Sequence, residues 1–217
     1  MSGAERRAAP KLAHHPLAGS AGAAVGRGAQ HPRWRQGWWS GAARRSSPNF
    51  GPRPAGVVVD LVVLHSISLP PGRYGGDAIE RLFTNRLDWS ADPYFEQIRG
   101  LEVSAHFLLR RDGRLLQFVS CDQRAWHAGR SQWRGRDNCN DFSIGIELEG
   151  LEGETFEPAQ YQALPPLLQA LARRYPVAEV VGHEHVAPGR KQDPGAGFDW
   201  ARLRAGMGLS SRLRAGP

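Results

Sequence analysis

The chain has 217 residues, 41% of them hydrophobic, enough to bury one sizeable core and consistent with one domain plus a tail. Its net charge of +7 sits at the front: residues 1–56 hold nine basic side chains and one acidic, and the remainder is close to balanced. A nearly neutral folded part argues against a nucleic-acid partner, two cysteines do not make a disulfide framework, and no apolar run reaches a membrane span.

Residues 1–35 are rich in Ala, Gly, Arg and Pro without periodicity, so a disordered basic extension is expected there. Arg6 and Arg7 precede a stretch too weakly apolar for a secretory signal, which makes the cytoplasm the expected compartment. A single domain is expected over 36–210 and a flexible tail over 211–217. Trp38, Trp39 and Phe50 lie among turn formers and predict a segment laid along the domain surface.

"VVVDLVVL" at 57–64 predicts a strand buried on both faces, followed by the loop "SISLPPGRYGG". Residues 77–86 read as a short helix, and "HFLLRRDGRLLQFV" as a hairpin turning at Asp112-Gly113. "FSIGIELEG" at 142–150 alternates, with Phe142, Ile144, Ile146 and Leu148 on one face and Ser143, Gly145, Glu147 and Glu149 on the other. Residues 158–174 read as helix divided by Pro165-Pro166, 178–181 as a strand, and "FDWARLRAGMG" as a closing helix. Strands mixed with helices give an α/β or α+β layer architecture.

The segment "GHEHVAPGRKQDPG" at 182–195 gathers His183, His185, Asp193 and Lys191 on a Pro/Gly-shaped loop. Imidazole and carboxylate suit zinc, and a catalytic zinc takes three protein ligands with one open corner. His65, at the end of the apolar strand, is the best third ligand. Spacing alone leaves His183 and His185 open as a pair, and leaves hydrogen-bonded structural histidines open as well. Lys191, one of two lysines, is a candidate oxyanion stabiliser or a solvated surface group. Glu147 lies on a small-residue face with room for substrate and can act as general base, whereas Glu149 reads as solvated. Trp126 is a stacking wall or core; His106 and His127 are open as ligands too, though both read first as structural.

"LHSISLPPG", "VSAHFLLRRDG", "RAWHAG", "CNDFSIGIELEG" and "GHEHVAPGRKQDPG…FDW", in that order, closely resemble the AmpD-type 1,6-anhydro-N-acetylmuramyl-L-alanine amidases, relatives of the peptidoglycan-recognition proteins. The resemblance spans roughly residues 36–205. It implies a central mixed β-sheet flanked by helices, with a zinc groove at the strand ends. It further implies Zn2+ on His65, His183 and Asp193, with Glu147 as acid/base and Lys191 stabilising the tetrahedral intermediate. Trp126, Ser66 and Arg190 are the expected substrate contacts. Ser66 stands where relatives usually carry Asn, and Asn138 where a basic residue is common. The implied substrate is an anhydro-muropeptide, met during peptidoglycan recycling; a monomer is expected, although the sequence does not decide the oligomeric state. The alternatives are a non-catalytic peptidoglycan-binding module, a periplasmic amidase of intact cell wall, and a binder of nucleic acid or membrane through the basic tail.

Overall fold

Seven strands form the central sheet of the computed structural model, which describes residues 32–208 and 213–216. They are β1 (Ala43–Arg44), β2 (Leu61–Ile67), β3 (Phe107–Leu109), β4 (Leu115–Gln117), β5 (Ser143–Glu149), β6 (Glu179–Gly182) and β7 (Arg214–Ala215). Their spatial order is β7-β6-β2-β5-β3-β4-β1. Every neighbouring pair is parallel except β3 and β4, the expected hairpin, whose turn residue Gly113 has φ +84°. The sheet is therefore mixed, with helices α1 (Ala78–Phe83), α2 (Pro93–Gln97), α3 (Pro158–Arg174), α4 (His183–Val186) and α5 (Trp200–Met207) around it.

β2 and β5 lie side by side at the centre because both are apolar enough to be covered on two faces. Val62 and Leu64 of β2 share a core with Ile144, Ile146 and Leu148 of β5 and with Leu164, Leu167, Leu168 and Leu171 of α3. The opposite face of β2 buries Leu61 and Val63 against Phe142, Val181 and Val186. The expected strand start at residue 57 is not met. Val57 and Val58 are exposed, and pairing with β5 begins only at Leu61 opposite Ser143.

Three further expectations are corrected. α3 runs unbroken through Pro165 and Pro166. An interior proline costs about 3 kcal/mol, and the row of buried leucines on the same helix offsets that penalty. Glu149 is buried: it accepts from Arg110 Nη1 at 2.9 Å, from the Gly75 N–H at 2.7 Å and from the Arg111 N–H at 3.2 Å. The expected free tail over 211–217 instead contributes β7 at the sheet edge, with Leu213 and Ala215 buried.

The surface segment begins its pairing at Trp34, which meets Trp39 across a two-residue strand pair. The expected extension over 1–35 otherwise lies outside the described residues. Further along, Arg53 sends its guanidinium inward to the carbonyls of Asn140, Asp141, Cys121 and Ser143. Burial lowers its pKa to about 10, and nothing in the sequence signals this role. Cys121 and Cys139 are free and buried.

Candidate metal and catalytic site

Alternation along the two central strands sets the site. His65 on β2 and Glu147 on β5 are register partners, so their side chains emerge side by side on the same face. β6 lies on the other side of β2, and its last residue, Gly182, leads directly into α4, which opens with His183. This one-turn helix replaces the extended chain expected at His-x-His. His185 therefore turns back, and its Nδ1 accepts from the Gly182 N–H at 2.8 Å. Asp193 returns on the following loop, whose carbonyl accepts from the Glu184 N–H at 3.0 Å.

His65, His183 and Asp193, all buried, bring one ligand atom each to a common centre. His65 Nδ1 lies 2.9 Å from His183 Nδ1 and 3.3 Å from Asp193 Oδ2, and His183 Nδ1 lies 3.1 Å from that oxygen. The outer nitrogen of His183, Nε2, is 3.0 Å from the Ala128 carbonyl, which can only accept. His183 Nε2 therefore carries a proton toward that carbonyl, and Nδ1 is the nitrogen turned to the centre. Burial first, and then repulsion from His183, lowers His65 to about 4, so that ring is neutral at pH 7. Two imidazole nitrogens and a carboxylate oxygen gathered this closely form a donor set that a cation satisfies. An ion about 2 Å from each atom, the usual zinc–nitrogen and zinc–oxygen length, fits a triangle of this size and keeps a fourth corner free.

Beside this centre, Glu147 Oε2 is buried and has no hydrogen-bond partner among the described residues. Burial, reinforced by the charge of Asp193, raises the Glu147 pKa well above the usual carboxylate range. A carboxyl that is easily protonated, next to a cation site, suits proton transfer. Lys191 is exposed and lines the same groove; its backbone N–H bonds the Ala187 carbonyl at 3.0 Å, which curls the loop after α4.

The groove has a volume of about 590 Å³, within the range of small-molecule sites. Trp126 and Ser66 line it with Leu69, Pro71 and Tyr94. Trp126 is pinned through its backbone, N–H to Ser104 Oγ at 3.0 Å and carbonyl to the Ser104 N–H at 3.0 Å. Arg190 borders the groove, but its guanidinium binds the carbonyls of Ala128 and Arg130, both at 2.7 Å. Its visible work is to brace the 128–130 loop behind His183. Glu147 has no open space over its strand neighbour, because the His127 ring covers Gly145. His106 stays outside the cluster: its Nδ1 accepts from the Gly145 N–H at 3.0 Å, and its Nε2 lies 3.1 Å from the Gln123 carbonyl.

Known proteins share this arrangement of chain. The 1,6-anhydro-N-acetylmuramyl-L-alanine amidase AmpD of Escherichia coli K12 is 52% identical over 171 residues, 78% of this chain and 93% of that protein. A crystal structure of a selenomethionine AmpD derivative superposes with a TM-score of 0.78 at 51% identity, covering 80% of this chain and 98% of the other. A complex of the E. coli N-acetylmuramyl-L-alanine amidase AmiD with the substrate anhydro-N-acetylmuramic acid-L-Ala-D-γ-Glu-L-Lys matches at 30% identity and a TM-score of 0.51, covering 71% of this chain and 60% of that one. The N-acetylmuramoyl-L-alanine amidase family model spans residues 54–196, which takes in His65, Glu147, His183, Lys191 and Asp193. By sequence and by fold alike, this chain belongs to the N-acetylmuramoyl-L-alanine amidases.

Proposed function

We propose that the protein is a zinc-dependent amidase that cleaves the bond between the lactyl group of 1,6-anhydro-N-acetylmuramic acid and the L-alanine of muropeptides. The observation that carries this reading is the convergence of three ligand atoms beside the orphaned Glu147 Oε2, on the wall of a groove wide enough for a sugar and a short peptide. Support for the anhydro-sugar comes from the AmpD relatives and from the substrate named for AmiD.

His65, His183 and Asp193 would hold the zinc. When bound, zinc supplies a Lewis acid for the scissile carbonyl and activates a water for attack near neutral pH. Glu147 takes the proton released as the water adds, and returns it to the departing alanine nitrogen. Its buried, partnerless Oε2 and raised pKa suit both halves of that transfer. Lys191 faces the groove as a compact positive charge for the developing oxyanion. Trp126 offers a stacking wall for the sugar, and Ser66 a short hydroxyl at the end of β2. Arg190 acts on the loop backbone rather than on the substrate.

The compartment proposed is the cytoplasm, where recycled muropeptides are met. Among the described residues no helix is long and apolar enough to cross a membrane. Mass analysis of products from anhydro and reducing-end muropeptides, paired with zinc content, tests the whole reading. Release of the intact stem peptide is expected, and His65→Ala should lose zinc and activity together. Full turnover by a variant shown to be free of zinc would overturn the metal assignment, and binding without cleavage would make the chain a recognition module.

A further inference from the structure

His127 is buried at the edge of the groove, and the zinc reading gives it no task. Its surroundings give it one. Ser143 Oγ lies 2.6 Å from the Cys139 carbonyl oxygen. A carbonyl only accepts, so the single hydroxyl proton of Ser143 is committed there. The same Oγ lies 3.3 Å from His127 Nε2 and can then only accept, which places the His127 proton on Nε2. The ring is buried, and its two nitrogens meet only the Ser143 hydroxyl and the His65 imidazole, with no carboxylate in hydrogen-bond reach among the described residues, so it holds a single proton and its Nδ1 is bare. That bare nitrogen is 2.9 Å from His65 Nε2. Two lone pairs do not face each other at this distance, so His65 carries its proton on Nε2. The lone pair of His65 Nδ1 is thereby left pointing at His183 and Asp193.

We propose that His127 is a positioning residue which, through a one-way chain of hydrogen bonds from His65 to the Cys139 carbonyl, fixes His65 in the only tautomer that presents Nδ1 to a metal. This inference rests on the zinc reading above. The next residue does the same for the second ligand, since the Ala128 carbonyl accepts from His183 Nε2 at 3.0 Å. One dipeptide thus orients both imidazoles. It is itself held by Asn140, whose Oδ1 accepts from the N–H groups of His127 at 3.1 Å and Ala128 at 2.8 Å. Gly145 on β5 provides the seat: a Cβ there would stand 2.4 Å from His127 Cγ. Such outer partners raise ligand basicity and restrict ring rotation, and their loss typically costs about 10–100-fold in metal affinity.

The test compares two substitutions of similar size in the full-length chain. His127→Asn keeps an acceptor, Oδ1, where the imidazole Nδ1 stood; His127→Leu removes it. Zinc affinity is measured by competition with a chromophoric chelator, and thermal unfolding of the metal-free proteins reports on folding. His127→Leu is expected to bind zinc about 10–100-fold more weakly, and His127→Asn to recover most of the loss. Long-range proton–nitrogen spectra of the zinc-loaded parent should show the His65 proton on Nε2. Three results would each overturn the proposal: His127→Leu binding as tightly as the parent, His127→Asn falling as far as His127→Leu, or a His65 proton found on Nδ1. If His127→Leu does not fold, the Asn variant and the ring spectrum still decide. A parent chain that takes up no zinc would sink the underlying metal reading instead, which separates the two failures.

Discussion

Replacing Arg110 by methionine should cost the domain about 3–5 kcal/mol, the range for removing one partner of a buried ion pair. Arg110 and Glu149 have side chains only 4% and 3% exposed, and the guanidinium also reaches the Gly76 carbonyl at 2.5 Å and Glu80 at 3.0 Å. In Arg110→Met the Glu149 carboxylate keeps only the N–H groups of Gly75 and Arg111. Two amide hydrogen bonds do not compensate a buried negative charge, and that deficit is the source of the penalty. For a domain whose stability lies in the usual range of about 5–15 kcal/mol, a loss near 4 is a large fraction. With a urea slope of about 2 kcal/mol per molar, the unfolding midpoint should fall by roughly 2 M. Adding Glu149→Gln removes the stranded charge and retains an acceptor for both amides, so the double variant should regain about 2 kcal/mol over Arg110→Met. Chemical denaturation of the four proteins completes the cycle. A single variant within 1 kcal/mol of the parent on the same order-of-magnitude scale, or a double variant less stable than Arg110→Met, would refute the reasoning.

Lys191→Ala should lower the cleavage rate by about 10²–10³ while leaving zinc content unchanged; unaltered turnover would remove the lysine from the chemistry. Gly145→Ala must push the His127 ring aside, since the new Cβ would lie 2.4 Å from its Cγ. The expected cost is about 1–3 kcal/mol of stability by overpacking, together with a loss of zinc affinity, read by denaturation and chelator competition. His106 has its pKa lowered to about 3 by burial first and then by the charge of Arg53. Between pH 6.5 and 3 the unfolded chain therefore binds a proton that the folded chain refuses, and stability falls as the pH drops through that window. His106→Asn keeps an acceptor for the Gly145 N–H and should lose about 2 kcal/mol less than the parent between pH 7 and 5. Equal acid sensitivity in urea titrations would show that His106 does not carry this linkage.

The site was legible in the sequence for a specific reason. His65, Glu147 and His183 stand at or near the ends of strands whose apolar runs are unambiguous, and the punctuation by Pro188, Gly189, Pro194 and Gly195 marks the loop that returns Asp193. The sharing of one sheet face by His65 and Glu147 needed the register of two parallel strands 82 positions apart, which alternation within either strand cannot supply. The same limit hid the environments of Glu147's neighbours. Alternation showed that Gly145 and Glu149 point away from the leucine core, but not that His127 and Arg110 cover them. Arg53 left no trace because its partners are backbone carbonyls, which every sequence contains. Pro165 and Pro166 misled because local propensity was weighed without the tertiary burial of the helix that contains them.

The wide separation of the donors along the polypeptide has a bearing on synthesis. His65 and His183 are 118 residues apart, and Asp193 follows ten residues after the second. A nascent chain that has not yet delivered α4 and its loop holds a single imidazole of the set and lacks any chelating grip. Any ion capture would therefore come late, after β6 has closed against β2, and the earlier folding would proceed without help from a metal. The amidase would be switched on only by its last quarter, so a truncated translation product would be inert toward the cell's own muropeptides.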